Sequence, residues 1–249
     1  MDKILITGAN GFIGRTLYNT IKGPSIDILE GNTLDIEYNA KRIDYDVIIH
    51  LGAEAGVRRS HDDPELFWRH NVIGFAKVIN FCKDSITNPR LIYASSSSIY
   101  EYWKSPYATT KKINEFQASY YDNSIGLRFH TVYGKDSRPD MFFDKLLNDK
   151  IDYITDHSRD WTHVDDVVSA IQLIIEKGQH LNGAIDVGTG MPVSVEDMVK
   201  HFNKGPFPFK EVTGEREHTR ANPVELIELG WKPMHHILTD NPEDYAKSN

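Results

Sequence analysis

Short apolar runs rich in Ile, Val and Leu recur along the first half of the chain. They are too short for buried helices and are typical of strands buried on both faces, and they span residues 3–7, 25–29, 46–51, 90–95 and 125–129. Stretches with the helical spacing of apolar positions separate them, at residues 12–21, 65–83 and 106–121. This alternation predicts an α/β fold, a Rossmann-type doubly wound parallel sheet covered by helices on both faces.

The pattern changes beyond Lys135, where the elements become shorter and Gly and Pro interrupt the chain more often. We therefore expect residues 1–135 to form the first domain and residues 136–249 to form mainly a smaller C-terminal cap. A helical pattern followed by an apolar run, within residues 162–188, is expected to return to the first domain.

Composition narrows the class of protein. The chain has 249 residues, of which 40% are hydrophobic, and a formal net charge of -8, so it is long enough for a full core and gives no reason to expect a nucleic-acid partner. Its one cysteine, Cys82, allows no disulfide within the chain and favours a reducing compartment. With no signal-peptide pattern and no run of membrane-spanning length, we expect a cytoplasmic protein without a membrane partner.

A glycine-rich turn follows the first predicted strand and opens the first predicted helix. Gly8, Gly11 and Gly14 follow the spacing G-x-x-G-x-x-G, which permits a tight turn and lets the backbone approach a pyrophosphate at a helix N-terminus. The position of the turn predicts a dinucleotide site. Three neighbouring residues are included in that predicted site: Asn10, Phe12 and Ile13.

The second predicted strand ends at Glu30, at about the distance where an acidic residue meets the adenosine ribose. A carboxylate there would repel a 2'-phosphate and favours NAD. Arg15 argues in the opposite direction, for a phosphorylated cofactor, but Gly31 follows Glu30 where a second cation would be needed. We expect NAD.

Residues 95–111 combine four serines with a tyrosine and a lysine. Tyr107 and Lys111 are four positions apart, so a helix places them on one face, where the ammonium group would lower the pKa of the phenol and make it a base. The serines are expected at the carboxyl end of a strand, where a doubly wound sheet binds its ligand. The Y-x-x-x-K pattern alone is common by chance. Its position after the glycine turn and the serines favours a catalytic role for Tyr107 and Lys111.

Together these motifs resemble the extended short-chain dehydrogenase/reductase family, which contains nucleotide-sugar epimerases and dehydratases. The resemblance covers nearly the whole chain and is carried by stretches such as TGANGFIG, NVIGF, ASSSSIY, RDWTHVDDVV and LGWKP. AGVRRS, YATTKKINE and LRFHTVYGKDSRPDM are most similar to UDP-glucuronate 4-epimerases. The chain departs from the pattern at Trp161, which replaces a smaller aromatic residue, and at His163, which stands in place of a tyrosine.

The resemblance implies NAD as cofactor, a UDP-sugar as substrate, and Ser96, Tyr107 and Lys111 as catalytic residues. Related dehydratases and decarboxylases carry acidic residues after the serine, and a 3,5-epimerase would carry a cysteine, whereas this chain has Ser97 and Ser98. It therefore implies oxidation and re-reduction at C4 of the sugar, without loss of water. It also assigns cofactor contacts to Asp35, Ile36, Leu51, Gly52 and Ala53.

For the substrate, the resemblance places Thr131 and Arg138 at a sugar carboxylate and Arg159 at the diphosphate. Arg58, Ser97 and Ser98 are expected to contribute to the same substrate site. The second arginine that the family uses for the diphosphate is replaced here by Val212, and Arg216 or Arg220 is expected to substitute for it.

Two further expectations come from the resemblance. The chain is a dozen or so residues shorter than its relatives between the serines and Tyr107, which is expected to open one wall of the sugar pocket. A homodimer is expected through helices near residues 65–83 and 106–121.

No metal site is expected, and the pair His235 and His236 is expected at the surface.

Three other activities stay open on the sequence. The first is the same 4-epimerase reaction with a neutral UDP-hexose as its substrate. The short spacing after Glu30 resembles 4-keto sugar reductases, which consume external NADPH. A redox-silent NAD-binding protein of regulatory function would need the same cofactor fold.

Overall fold

The computed structural model describes residues 2–245 of the chain. Strands within this range are β1 (Ile4–Thr7), β2 (Ile26–Ile28), β3 (Val47–His50), β4 (Arg90–Ser96), β5 (Ser124–Phe129), β6 (Thr131–Tyr133), β7 (Ser158–His163), β8 (Gly183–Val187) and β9 (Pro192–Ser194). The five strands that the apolar runs predict are β1 to β5, and each lies within a residue or so of its expected position.

The helices alternate with the strands. They are α1 (Phe12–Ile21), α2 (Ile36–Asn39), α3 (Val57–Asp62), α4 (Pro64–Phe67), α5 (Gly74–Asp84), α6 (Pro106–Ala118), α7 (Phe142–Leu147), α8 (Val164–Lys177), α9 (Val195–His201) and α10 (Val224–Glu228). A π-helical segment, Trp68–Ile73, joins α4 to α5, and a 3₁₀ segment, Ser97–Lys104, follows β4. No helix within residues 2–245 has both the length and the apolar character that a membrane crossing requires.

The large sheet contains six parallel strands in the order β2-β1-β3-β4-β5-β8. This arrangement confirms the predicted α/β, Rossmann-type fold. The strand order reverses beside β1, since the chain moves outward to β2 and then returns to the other side of β1 as β3. A crevice therefore forms at the carboxyl ends of β1 and β3, which is where open α/β sheets bind ligands.

Helices cover both faces of this sheet because successive side chains of a strand point to opposite faces. Ile6, Ile49 and Ile92 belong to a core shared with α1 and α8. Leu5, Ile48 and Leu91 lie on the other face, in a core shared with α5. Burial on both faces explains why these strands are almost continuously apolar.

A smaller sheet and a third core form the cap. Its strands lie in the order β6-β7-β9, with β6 parallel and β9 antiparallel to β7. The core beneath it includes Tyr133, Phe143, Trp161 and Met198. The small sheet begins at β6, just before the boundary expected at residue 135. Helix α8 packs on α1 and β8 lies at the edge of the large sheet, so both belong with the first part of the chain.

A buried asparagine in the π-helical segment fixes the loop that follows β3. Asn71 is 1% exposed, and its side chain accepts a hydrogen bond from the backbone of Glu54 and donates to the Glu54 carbonyl and the Thr110 hydroxyl. The loop after β3 is thus tied to α6, the helix that carries Tyr107 and Lys111.

Candidate active site

The glycine turn is packed so closely that side chains are excluded. Gly8 has a φ of +72°, and a Cβ there would lie 2.6 Å from the backbone nitrogen of Gly52. A Cβ on Gly14 would lie 2.1 Å from the carbonyl oxygen of Gly8. Helix α1 begins after Gly11 without a side-chain cap, so the amide groups of its first turn stay available to an anion. This cradle fits a dinucleotide pyrophosphate.

The other expected cofactor residues follow β1, β2 and β3, the strands beside the crevice. Leu51, Gly52 and Ala53 follow β3 and are half-buried, and Asn10, Glu30 and Asp35 are exposed. The side chains of Phe12 and Ile36 belong to the two cores of the large sheet, so their backbone groups are the ones expected to meet a cofactor. Apolar residues beside a glycine turn serve its packing first.

Glu30 is exposed just beyond β2, where its carboxylate can accept hydrogen bonds from ribose hydroxyls. Arg15, the residue that argued for a phosphorylated cofactor, donates instead to the carbonyl of Asp136. The geometry of these two residues supports the choice of NAD.

The catalytic candidates come from the end of β4 and the first turns of α6. Ser96 is 7% exposed, and its hydroxyl accepts a hydrogen bond from the Ser98 backbone and lies 3.2 Å from the Ser98 hydroxyl. Helix α6 begins with Ser105 as its cap and Pro106 in its first turn, which places Tyr107 at the start of the helix. Lys111 is 2% exposed, and its Nζ donates to the carbonyl oxygen of Ala94 at 2.8 Å.

Burial dominates the electrostatics of this group. It raises the pKa of Tyr107, and the Ser96 hydroxyl and the Arg138 charge act in the opposite direction. Burial also lowers the pKa of Lys111 to about 8 and, together with the charge of Lys111, lowers that of His50 to about 3. The expectation that Lys111 lowers the pKa of the phenol is therefore wrong for this structure, in which Ser96 and Arg138 do so and burial outweighs both.

Arg138 reaches the loop after β3 from the cap. Its guanidinium donates to both carboxylate oxygens of Asp140, at 3.1 and 3.3 Å, and to the carbonyl of Ala55 at 3.2 Å. Thr131, the first residue of β6, pairs with Trp161 in the small sheet and is half-buried. Arg138 is thus near the loop of the crevice but already has a carboxylate partner.

Three arginines gather around the segment 211–217 of the cap. Arg58 of α3 and Arg159 of β7 both bind the carboxylate of Glu215, with shortest distances of 2.6 and 3.3 Å. Arg216 donates to the carbonyl of Ser97 and lies over the ring of Tyr100. Arg220 instead donates to the carbonyl of Gly190, so of the two expected substitutes only Arg216 lies beside the serines.

Glu215 is a residue that the sequence analysis missed. It lies at the wall expected to be open, where Lys104 of the 3₁₀ segment donates to its carbonyl group. Glu215 is visible in the sequence as an acidic residue near several basic ones. Its two partners in the structure, Arg58 and Arg159, are however 157 and 56 positions away. No pattern of local spacing reveals such a contact.

A charged network behind the serines was also missed. Glu115 accepts two hydrogen bonds from Arg128 and one from the Ser95 hydroxyl. Tyr100 donates to Asp186 and accepts from Arg128. The available signal was a charged residue in each of two apolar strands, Arg128 in β5 and Asp186 in β8, because a charge in a buried strand requires a partner.

Within residues 2–245, the structure brings together one group of possible metal ligands that the sequence did not lead us to expect. Ligand atoms of His163, Asp165 and His235 lie within 4.8 Å of one another. The two imidazole rings are stacked, with centroids 3.9 Å apart, and Nδ1 of His163 accepts from the backbone of Asp165. Stacked rings direct their lone pairs side by side, so this arrangement favours ring packing over shared coordination.

Comparisons with known proteins identify the family of the chain. The model of the NAD dependent epimerase/dehydratase family matches residues 4–188. Protein CapI of Staphylococcus aureus is 31% identical over an alignment that covers 70% of each chain. UDP-glucuronate 4-epimerase 4 of Arabidopsis thaliana is 28% identical over an alignment that covers 95% of this chain and 72% of the plant enzyme.

Among solved structures, MoeE5 in complex with UDP-glucuronic acid and NAD superposes with a TM-score of 0.82 at 25% identity, covering 95% of each chain. The same protein in complex with UDP-glucose and NAD gives a TM-score of 0.79, also at 25% identity, covering 94% of each chain. The fold is thus shared with a protein that was solved with a nucleotide sugar and NAD.

Proposed function

The chain belongs to the NAD dependent epimerase/dehydratase family, and on that premise we propose that it is an NAD-dependent nucleotide-sugar 4-epimerase. Its preferred reaction is the conversion of UDP-glucuronate to UDP-galacturonate. The observation that carries the proposal is the position of Ser96, Tyr107 and Lys111 at the carboxyl end of β4, with serines at 97 and 98. The similarity to a plant UDP-glucuronate 4-epimerase and to MoeE5 supports the choice of substrate.

The residues present fit NAD. The glycine cradle has no space for side chains, the first turn of α1 has uncapped amide groups, and Glu30 is exposed at the end of β2. Lys111 lies one helical turn from Tyr107, where its ammonium group can bind ribose hydroxyls. NAD, when bound, supplies the acceptor for the hydrogen at C4 of the sugar and returns it.

The side chains of this chain then handle the proton of the 4-hydroxyl. Tyr107 in its ionised form accepts that proton and later gives it back, and the Ser96 hydroxyl orients the same oxygen. Ser97 and Ser98 offer no acidic group, so elimination of water has no general acid at this position. Retaining the oxygen at C4 and inverting the carbon is the outcome that these groups support.

Tyr107 needs help to ionise, because burial raises its pKa. Ser96 and Arg138 both lower it, and a positively charged group bound beside the phenol would lower it further. The buried Lys111, whose pKa is lowered to about 8, still carries most of its charge at neutral pH. Tyr107 is therefore expected to act as a base only when the cofactor and the substrate are bound beside it.

Arg138 and Thr131 are proposed to hold the sugar carboxylate. Oxidation of a uronic acid at C4 gives a β-keto acid, which loses carbon dioxide when its carboxylate aligns with the carbonyl group. A planar guanidinium binds both carboxylate oxygens and fixes their orientation. Asp140, the present partner of Arg138, lies two positions away and must release it for this task.

The direct test is incubation of the purified protein with UDP-glucuronate without added cofactor, followed by NMR of the sugar. The expected product is UDP-galacturonate. In a parallel incubation with UDP-glucose, a 6-deoxy-4-keto sugar would indicate a dehydratase. A requirement for added NADPH with a 4-keto substrate would indicate a reductase. A protein that retains NAD and converts none of these substrates would support the redox-silent alternative.

A neutral UDP-hexose is the second candidate substrate. Two observations favour it: the guanidinium of Arg138 is already paired with Asp140, and MoeE5 was solved with UDP-glucose as well as with UDP-glucuronic acid. Comparing UDP-glucose with UDP-glucuronate in the same assay decides between the two substrates.

A further inference from the structure

Two arginines from different parts of the fold meet on one carboxylate. Arg58 belongs to α3, beside the large sheet, and Arg159 belongs to β7 of the cap. Nε of Arg58 lies 2.6 Å from one oxygen of Glu215, and Nη2 of Arg159 lies 3.3 Å from the other. The side chains of Arg159 and Glu215 are only 14% and 17% exposed, so the contact between these two is largely screened from water, whereas Arg58 is 59% exposed.

The arginine group is unfavourable without an anion. Burial lowers the pKa of Arg159, and the positive charges of Arg216 and Arg58 act in the same direction. The charge of Glu215 and its hydrogen bond oppose this shift. Glu215 thus supplies the negative charge that lets three cations stand close together.

The segment that carries Glu215 is held by polar contacts. Lys104 donates to the carbonyl of Glu215, and Arg159 donates to the carbonyl of Glu217 at 2.8 Å. Gly214 has a φ of +83°, and a Cβ there would lie 3.0 Å from Nε2 of His61, so the turn passes close to α3. The same segment borders a cavity of about 880 Å³, lined in part by residues 209–213, which leaves it space to move.

We propose that Glu215 is a built-in counter-ion of the diphosphate site: it neutralises Arg58 and Arg159 in the free protein and leaves them when a nucleotide diphosphate binds. The inference rests on the proposed function, because it takes the ligand to be a nucleotide diphosphate. A diphosphate carries more charge than one carboxylate and offers each guanidinium an oxygen pair, so it competes with Glu215 for the same donors. Substrate affinity then includes the release of Glu215.

The test is calorimetric titration of the full-length protein with UDP. Glu215→Gln keeps the size of the side chain and removes its charge. Glu217→Gln is the matched control, since its side chain is exposed and Arg159 contacts only its backbone carbonyl. We expect Glu215→Gln to lower the Kd for UDP about tenfold, the scale of one charge-assisted contact, and Glu217→Gln to leave it within about twofold.

Thermal unfolding separates this role from a merely structural one. Without ligand, Glu215→Gln should melt at a lower temperature than the wild type, because Arg159 loses its partner, and UDP should raise its melting temperature by more. Weaker or unchanged UDP binding by Glu215→Gln, beside a wild type that binds UDP, would overturn the counter-ion role alone. Failure of every variant and of the wild type to bind UDP would overturn the proposed function together with it.

Discussion

At the scale of single residues, burial decides what the groups around β4 can do. Tyr107 has a raised pKa, Lys111 is held on the Ala94 carbonyl, and Ser96 is tied to Ser98. None of these groups carries out chemistry alone. The Ser96 hydroxyl and, to a smaller extent, the Arg138 charge lower the pKa of the phenol. The serine hydroxyl must turn from its neighbour toward the substrate.

Tyr107→Phe tests the base directly. The change removes one hydroxyl and leaves the glycine cradle intact, so turnover of UDP-glucuronate should fall by at least about a hundredfold while NAD stays bound. Product formation and the dinucleotide released on denaturation provide the two readings. Tyr102→Phe, on an exposed tyrosine of the 3₁₀ segment, should leave both unchanged. Comparable turnover in the two variants would exclude Tyr107 as the base.

Arg138→Leu tests the substrate assignment. If Arg138 binds the sugar carboxylate, kcat/KM for UDP-glucuronate should fall roughly thirtyfold, which corresponds to a loss of about 2 kcal/mol of transition-state stabilisation. The value of kcat/KM for UDP-glucose should change much less. A UDP-linked pentose should also form, because a loosened carboxylate lets the 4-keto acid lose carbon dioxide. Arg220→Leu is the control, since Arg220 contacts the Gly190 carbonyl. Equal losses for both sugars in Arg138→Leu would mean that the arginine is structural.

At the scale of elements, ion pairs and buried hydrogen bonds hold the site between sheet, helix and cap. Glu115 joins α6 to β4 and β5 through Ser95 and Arg128, and Tyr100 joins the 3₁₀ segment to β8 through Asp186. These contacts fix the serines relative to Tyr107. The short connection between β4 and α6 is therefore ordered by polar partners.

Glu115→Gln should destabilise the fold, because Arg128 then stays half-buried without its carboxylate. We expect the free energy of unfolding to fall by about 2–3 kcal/mol, somewhat less than for a fully buried pair. Urea titration measures it, with Glu176→Gln on the exposed face of α8 as a control that changes stability by less than about 0.5 kcal/mol. A loss as small as that of the control would show that the network adds little.

The sequence predicted the large sheet well because its strands are buried on both faces and interrupted by helices of ordinary length. It placed the serines at the end of a strand and Tyr107 and Lys111 one helical turn apart, as the structure has them. The catalytic role of Ser96, Tyr107 and Lys111 stays a prediction. It did not predict the π-helical turn around Asn71, the 3₁₀ segment, or the contact of Glu215 with Arg58. Those features depend on packing between distant segments, which local periodicity does not encode.

At the scale of the whole molecule, the two parts of the chain meet at the crevice and leave an apolar helical face exposed. Ile73, Phe116 and Tyr120 are 54%, 59% and 77% exposed, and they lie at the start of α5 and along and just beyond α6. Gln117 donates to the carbonyl of Val72, so these segments run side by side. Exposed apolar residues on neighbouring helices are typical of a surface that a second subunit covers.

We therefore expect a homodimer through α5 and α6. Light scattering at micromolar concentration should give twice the mass of the chain, and Phe116→Glu should give a monomer, because a charge would be buried at the interface. Tyr38→Glu, at an exposed position of α2, should leave the dimer intact. A monomeric wild type would contradict this interface.

In the proposed reaction, one hydrogen atom leaves C4 of the sugar and returns to the same carbon. The decisive measurement uses UDP-glucuronate deuterated at C4, with the product analysed by NMR after reaction in ordinary water without added cofactor. We expect UDP-galacturonate that retains the deuterium at C4. Loss of the label to water during conversion, or a product with the same configuration at C4 as the substrate, would contradict the proposed reaction.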